Sequence, residues 1–364
     1  MRNLHDLVRS EILALEAYRV EEEICKIKLD ANENSFPFPF ELRKKMASLI
    51  ENLPFNRYPD PLARELRRVL AEQLSRSGNP VNSDMILVGN GSDELIQMIL
   101  LVFGRDPGCV LIPSPTFAMY KILTQILGRR PIEIPLEADF DLNLEEMLAR
   151  IESDRPQITF LSYPNNPTGN SFSREKILKI LEVSQGIVVV DEAYFDFSKK
   201  TFLPLLSRYG NLIILRTFSK IGAAGLRVGF LIAREEIVQQ LHKVRLPFNL
   251  NLFSQAAAKL ILENRIFVDE QVTRLIQERE KLYRVLQSLS YLDPFPSDAN
   301  FILVRTKMDA AFLHQELIKR DILVRNLSKP GPLFNCLRIG VGTPEENEIL
   351  CKALEEIKNQ KPEF

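Results

Sequence analysis

The 364-residue chain has no tryptophan, only three histidines and only four cysteines. His5, His242 and His314 are far apart in sequence, which disfavours a histidine-built metal centre or a Ser-His-Asp hydrolase, and no metal site is expected. Cys25, Cys109, Cys336 and Cys351 show no paired spacing of the kind that makes a zinc site or a disulfide framework. A reducing, cytoplasmic compartment is the simplest expectation. Long apolar runs are missing as well: stretches such as Leu95 to Phe103 and Ile187 to Val190 fall far short of the roughly 20 residues a spanning helix needs, so no membrane partner is expected. Arg2, His5, Asp6, Arg9, Glu11 and Glu16 break up the apolar core a secretory signal would require. Charge of one sign is also lacking, with 47 Lys+Arg against 48 Asp+Glu for a net charge of -1. Without a basic field to drive counterion release, nucleic acid is not an expected partner. There is no internal repeat and no low-complexity segment.

What remains has the composition of an ordinary water-soluble globular protein, with 45% hydrophobic and 26% charged residues. The length leaves room for two domains. Short β-rich runs at Met85-Val88, Val110-Ile112, Ile132-Ile134, Ile158-Ser162, Ile187-Val190, Leu212-Arg216 and Val228-Ile232 alternate with helical patterns. The alternation predicts an α/β fold with a mostly parallel seven-stranded sheet between helices. Ile187-Val190 and Leu212-Leu215 are continuously apolar and should be the central strands. Apolar residues at helical spacing, among them Ile177, Leu178 and Leu181 behind a Ser173 N-cap, supply the covering helices. Beyond a long helical region from about Phe253 to Leu289, broken near Arg265, strands at Phe301-Val304, Ile322-Arg325 and Leu337-Val341 suggest a smaller α+β C-terminal domain. Thr343, Pro344 and Glu346 form a capping-box signature for the last helix, which should run to about Lys358. The division expected is an N-terminal arm over 1–40 that must dock to be ordered, a large domain over 41–260 and a small domain over 261–364.

Chemistry-bearing residues gather at the predicted strand ends. Gly89-Asn90-Gly91-Ser92-Asp93-Glu94 links a strand to a helix and can bring backbone N–H groups to a phosphate, although Glu94 occupies the third glycine position of a dinucleotide fingerprint. Taken alone, the motif reads more readily as a plain capped turn. Ser162-Tyr163-Pro164-Asn165-Asn166-Pro167-Thr168-Gly169 makes a rigid loop where open α/β sheets bind ligands. Asp191 ends an apolar strand, where a carboxylate needs a cation or donors. Lys220, after Arg216-Thr217-Phe218-Ser219, is either a surface ammonium or an imine-forming nucleophile.

Together these motifs resemble fold type I pyridoxal phosphate (PLP)-dependent aminotransferases, and most closely the histidinol-phosphate aminotransferase family. The likeness also takes in Leu29 to Asn34, Arg57-Tyr58-Pro59-Asp60, Gly225 to Gly229 and Leu337 to Gly342. It implies PLP as cofactor, with Lys220 bonding it and shuttling the substrate proton, Asp191 at the ring nitrogen, and Tyr194 and Asn166 at the ring's 3-oxygen. Phe117 would stack on the ring. Gly91, Ser92, Asp93, Thr217, Ser219 and Arg227 would hold the phosphate, together with Tyr58 from a second subunit of a homodimer that shares its active sites. Arg325 and Arg338, with Tyr18 of the arm and Asn166, would take the substrate's anionic group. The implied substrates are L-histidinol phosphate and the glutamate/2-oxoglutarate pair, in histidine biosynthesis. An aromatic amino-acid aminotransferase and a threonine-phosphate decarboxylase are the alternatives on this fold. A PLP-binding transcriptional regulator would need a DNA-binding module for which there is neither spare length nor basic surplus. The chain departs from the family pattern at Ala17, where proline is common, at Phe117, where tyrosine is common, and in a Lys220 to Arg227 stretch one residue shorter than in many relatives.

Overall fold

The computed structural model describes residues 4–17, 23–76, 78, 80–104 and 108–358. The strands in chain order are β1 (Ile27–Leu29), β2 (Ile86–Asn90), β3 (Cys109–Ser114), β4 (Arg130–Pro135), β5 (Ile158–Ser162), β6 (Ile187–Asp191), β7 (Leu212–Thr217), β8 (Val228–Ile232), β9 (Leu292–Pro294), β10 (Phe301–Thr306), β11 (Ile322–Asn326) and β12 (Cys336–Gly340). The larger sheet has seven strands in the order β2-β8-β7-β6-β5-β3-β4. All seven runs anticipated from the sequence are present in it. Strand β8 is antiparallel to both of its neighbours, and the remaining pairs are parallel.

The apolar runs explain the layering. Along β6, Val188 and Val190 enter one core with Ile177 and Ile180, whereas Val189 faces the other with Leu95, Ile99 and Tyr120. Side chains of a strand alternate between faces, so a run without polar residues has to be covered on both. The parallel register sets Ser162 beside Asp191 and Asp191 beside Leu215. The carboxyl ends of β5, β6 and β7 therefore open onto one edge, where the chemistry collects.

The smaller sheet, β1-β11-β12-β10-β9, contains two strands the sequence reading missed. Strand β1, near the start of the chain, pairs parallel to β11, and β9 pairs with β10. Each is three residues long, too short for a two-residue period to stand out. The helical region does break near Arg265, into helices Leu252–Glu263 and Ile266–Ser288. The second of these serves both cores, with Val268, Val272 and Leu275 in the larger and Leu282 and Leu286 in the smaller.

The capping box on the last helix forms as anticipated, with Glu346 N–H donating to Thr343 Oγ1 at 3.2 Å and Thr343 N–H to Glu346 Oε2 at 2.9 Å. Ser173 is a correction. It occupies the N-cap position, but its oxygen accepts no backbone N–H of the helix: both its hydroxyl and its own N–H donate to the Asp141 carboxylate, at 2.6 and 2.9 Å, and the side chain is held by that charged acceptor. Among the described residues, no helix is long and apolar enough to cross a membrane.

Candidate active site

A cleft of about 310 Å³ opens at the carboxyl ends of β5, β6 and β7 and is closed from the other side by β11, β12 and the arm segment that follows β1.

At one end the groups suit a phosphate. Ser92 begins the helix Ser92–Phe103, and Gly91 before it has a φ of 83°, a conformation that favours glycine. A Cβ at Gly91 would stand 2.5 Å from Arg227 Nη2, and one at Gly229 would stand 2.6 Å from the backbone of Gly91 and Ser92. The two glycines let β8 and Arg227 close on the helix N-terminus. Glu94 takes a structural part here, accepting the Asn90 N–H at 2.6 Å and Asn249 Nδ2 at 2.8 Å. Thr217 Oγ1 and Ser219 Oγ are 2.9 Å apart, and Arg227 Nη2 is 3.5 Å from Asp93 Oδ2. The stretch between Lys220 and Arg227 folds into two 3-10 turns, Ser219–Ile221 and Ala224–Leu226, and delivers Arg227 to the cleft.

Asp191 lies in the middle, 3% exposed. Its carboxylate accepts the Tyr120 hydroxyl at 2.6 Å and the Ala193 N–H at 3.0 Å. Among the described residues no cationic side chain pairs with it, and burial pushes its pKa up to about 6. The Tyr194 hydroxyl accepts from Asn32 Nδ2 at 2.9 Å. Lys220 Nζ lies 5.8 Å from the Tyr194 ring centre and 3.4 Å from the Ala31 carbonyl oxygen. Phe117 stands edge-on to Tyr120 at 5.5 Å.

The far end is cationic. Arg325 and Arg338 are directly opposite each other across β11 and β12, and both line the cleft. Like charges in that register repel, and an anion between them relieves the repulsion. Arg338 Nη1 donates to Asn166 Oδ1 at 2.6 Å, and its Nη2 to the Asp30 carbonyl. Asn166 is set by its buried neighbour Asn165, which bonds Thr116 at 2.6 Å and Thr168 at 2.8 Å.

Ser92, Asp93, Phe117, Asn166, Asp191, Tyr194, Thr217, Ser219, Lys220, Arg227, Arg325 and Arg338 thus meet in one cleft, with Gly91 directly behind Arg227. Tyr58 does not join them. It is 81% exposed and stacks on Phe248 at 4.4 Å. Tyr18 lies outside the described residues. Sequence reasoning overlooked the parts played by Tyr120 and Asn32. Tyr120 reads as one more apolar-face residue of its helix, and Asn32 was visible only as part of the arm motif.

A second cavity, of about 270 Å³, lies beside Phe195, Phe218 and Leu262. Its Arg216 and Glu192 are paired with each other at 2.8 Å, and its Arg265 is paired with Asp196, so its principal charged groups are already partnered.

The main cleft therefore offers an anion cradle, a buried carboxylate lacking a cation and a lysine, which is the donor set for a phosphorylated pyridine aldehyde. The sequence profile of the family described as aminotransferase class I and II matches residues 24–354, and the chain belongs to that family. It is 43% identical over 352 residues to a histidinol-phosphate aminotransferase of Aquifex aeolicus, covering 96% of this chain and 98% of the relative. It is 44% identical over 349 residues to histidinol-phosphate aminotransferase 2 of Nitrosococcus oceani, covering 95% and 96%. Among solved structures, the histidinol-phosphate aminotransferase of Sinorhizobium meliloti in complex with pyridoxal-5'-phosphate superposes with a TM-score of 0.85 at 24% identity, covering 96% of this chain and 97% of that one. That likeness establishes the shared fold, the fold type I architecture anticipated from the motifs.

Proposed function

We propose that this aminotransferase uses PLP to move the amino group of L-histidinol phosphate to 2-oxoglutarate, giving imidazole acetol phosphate and L-glutamate in histidine biosynthesis. The observation that carries the reading is a single cleft with an anion-binding set at each end and Asp191 and Lys220 between them. One end suits the phosphate of the cofactor and the other the phosphate of the amine donor. The names of near full-length relatives at 43% and 44% identity support the same substrate.

Bound PLP supplies an electron sink for the charge left at the substrate carbon. The chain's residues do the rest. The N-terminus of helix Ser92–Phe103, with Thr217, Ser219 and Arg227, would anchor the cofactor phosphate. Asp191 would keep the ring nitrogen protonated, Phe117 would cover the ring, and Tyr194 and Asn166 would hold the 3-oxygen. With the cofactor bound, Lys220 Nζ would take the proton from the substrate Cα, hold it while the amino group moves, and give it back. Arg325 and Arg338 fix the donor's phosphate and, in the second half-reaction, a carboxylate of the acceptor. Both half-reactions use this one site, so the kinetics are ping-pong.

A homodimer accompanies this reading. Phe55, Tyr58, Leu246 and Phe248 expose apolar surface, at 63%, 81%, 69% and 38%, and the Tyr58–Phe248 stack holds Tyr58 ready to reach a partner's cofactor phosphate. Mixing Lys220→Ala with Tyr58→Phe subunits should restore activity, because one site of each hybrid carries neither change. Activity equal to the average of the two parents would exclude shared sites. The reading also places the enzyme in the cytoplasm and divides it into an arm over 1–40, a cofactor-binding domain over 41–260 and a small domain over 261–364.

The test of the reaction is the absorbance spectrum of the purified protein before and after addition of L-histidinol phosphate with no oxo acid present. Conversion of the cofactor band to its amino form is the expected result. A response only to phenylalanine, or decarboxylation of threonine phosphate, would reassign the substrate. No cofactor band after reconstitution would overturn the mechanism.

A further inference from the structure

The environment of Asp191 points to a residue that acts on the chemistry without touching it. Tyr120 is fully buried. Its ring stacks on Phe160 at 4.7 Å with an interplanar angle of 4° and meets Phe117 edge-on at 5.5 Å. Its backbone N–H donates to the Phe117 carbonyl at 3.2 Å, which ties it to the residue proposed to cover the cofactor ring. The ring is therefore clamped, and its hydroxyl, 2.6 Å from Asp191 Oδ2, is directed at a single acceptor.

We propose that Tyr120 is a positioning residue of the transamination site, whose hydroxyl keeps the Asp191 carboxylate turned toward the cleft and in its charged form. The proposal rests on the PLP reading above. A hydroxyl donated to a carboxylate favours the anion, and a carboxylate that loses such a donor in a buried setting binds a proton more readily. Tyr120 itself cannot act as an acid, since burial and the neighbouring Asp191 hold its pKa well above the ordinary value. It therefore donates throughout the working range.

Other charged groups bear on Asp191. Asp93, on the helix Ser92–Phe103, and Glu192, next along the chain, oppose its ionisation, and Glu192 is itself engaged by Arg216 at 2.8 Å. Tyr194, Lys220 and Arg227 line the same cleft. With burial and two carboxylates against the charged form, the Tyr120 hydroxyl and the Ala193 N–H are the hydrogen bonds that favour it.

The experiment measures PLP affinity of the cofactor-free protein by equilibrium dialysis from pH 5 to 8. In the wild type, affinity should fall as pH drops through about 6, where Asp191 takes up its proton. In Tyr120→Phe that fall should begin about one pH unit higher, the shift expected for one lost hydrogen bond to a carboxylate. A purely structural contribution would lower affinity equally at every pH, and an unchanged midpoint would overturn the proposal. The same change placed on Asp191→Asn should produce no further pH-dependent loss. If it does, Tyr120 acts through something other than Asp191 and the proposal fails. A wild-type protein that binds no PLP at any pH would remove the cofactor reading, and this inference with it.

Discussion

Asp191 and Glu192 are consecutive carboxylates at the end of the same strand, both almost fully buried at 3% and 1% exposure, and the protein treats them in opposite ways. Glu192 is completed from within. It accepts two bonds from Arg216 at 2.8 and 3.1 Å, further bonds from Thr201 and the Phe202 N–H at 2.7 Å, and Arg216 in turn packs 3.6 Å from the Phe195 ring centre. Asp191 receives only neutral donors and borders an open cleft. A buried carboxylate given a guanidinium is part of the framework. One denied a cation pays a desolvation cost that a ligand can relieve, which marks it as functional.

The contrast can be broken by substitution. On the cleft side, Lys220→Ala should reduce turnover by roughly 10²–10⁴-fold or more while leaving thermal unfolding little changed. On the framework side, Glu192→Gln should leave Arg216 as an uncompensated buried charge and cost about 3–5 kcal/mol of stability, measurable by denaturant titration. Asp191→Asn should do the reverse. Its folded pKa of about 6 lies above the ordinary 3.8, so the charged form is disfavoured in the fold. The resulting cost of about 3 kcal/mol is present above pH 6 and disappears as pH falls toward 4. The cofactor-free Asp191→Asn protein should accordingly equal or exceed the cofactor-free wild type in stability above pH 6 and lose that advantage in acid, while turnover of the cofactor-loaded variant falls by about 10²–10³-fold. If it were destabilised as strongly as Glu192→Gln at pH 7, the two carboxylates would not differ in the way described. The smallest effect is expected at the far wall. Arg338→Ala should weaken binding of the phosphate-bearing donor by about 1.5–3 kcal/mol, seen in KM rather than in unfolding, and unchanged affinity would move the anion site elsewhere.

Much of this was legible in the sequence because the decisive groups follow their strands directly. Ser162, Asp191 and Thr217 each end an apolar run, and a parallel sheet brings such ends together whatever covers it. Contacts made at long range were not legible. Tyr120 and Asp191 are 71 residues apart, and Asn32 and Tyr194 are 162 apart. Nothing in the local pattern around Tyr120 separates it from an ordinary core aromatic. Strand β1 was hidden for a related reason, since three residues gain a strand's hydrogen bonds only once β11 lies alongside.

The order of residues alone specifies the seven-stranded sheet, the edge at which its loops gather and the types of side chain delivered there. Those follow from short-range rules: apolar periodicity, turn residues, and the need to cover a strand that is apolar on both faces. Long-range packing settles which of two neighbouring carboxylates has a cation, that Arg325 and Arg338 stand opposite each other, and that residues 30–33 close the cleft. Each of these depends on packing between segments far apart in the chain, and burial sets the electrostatic consequences of that packing.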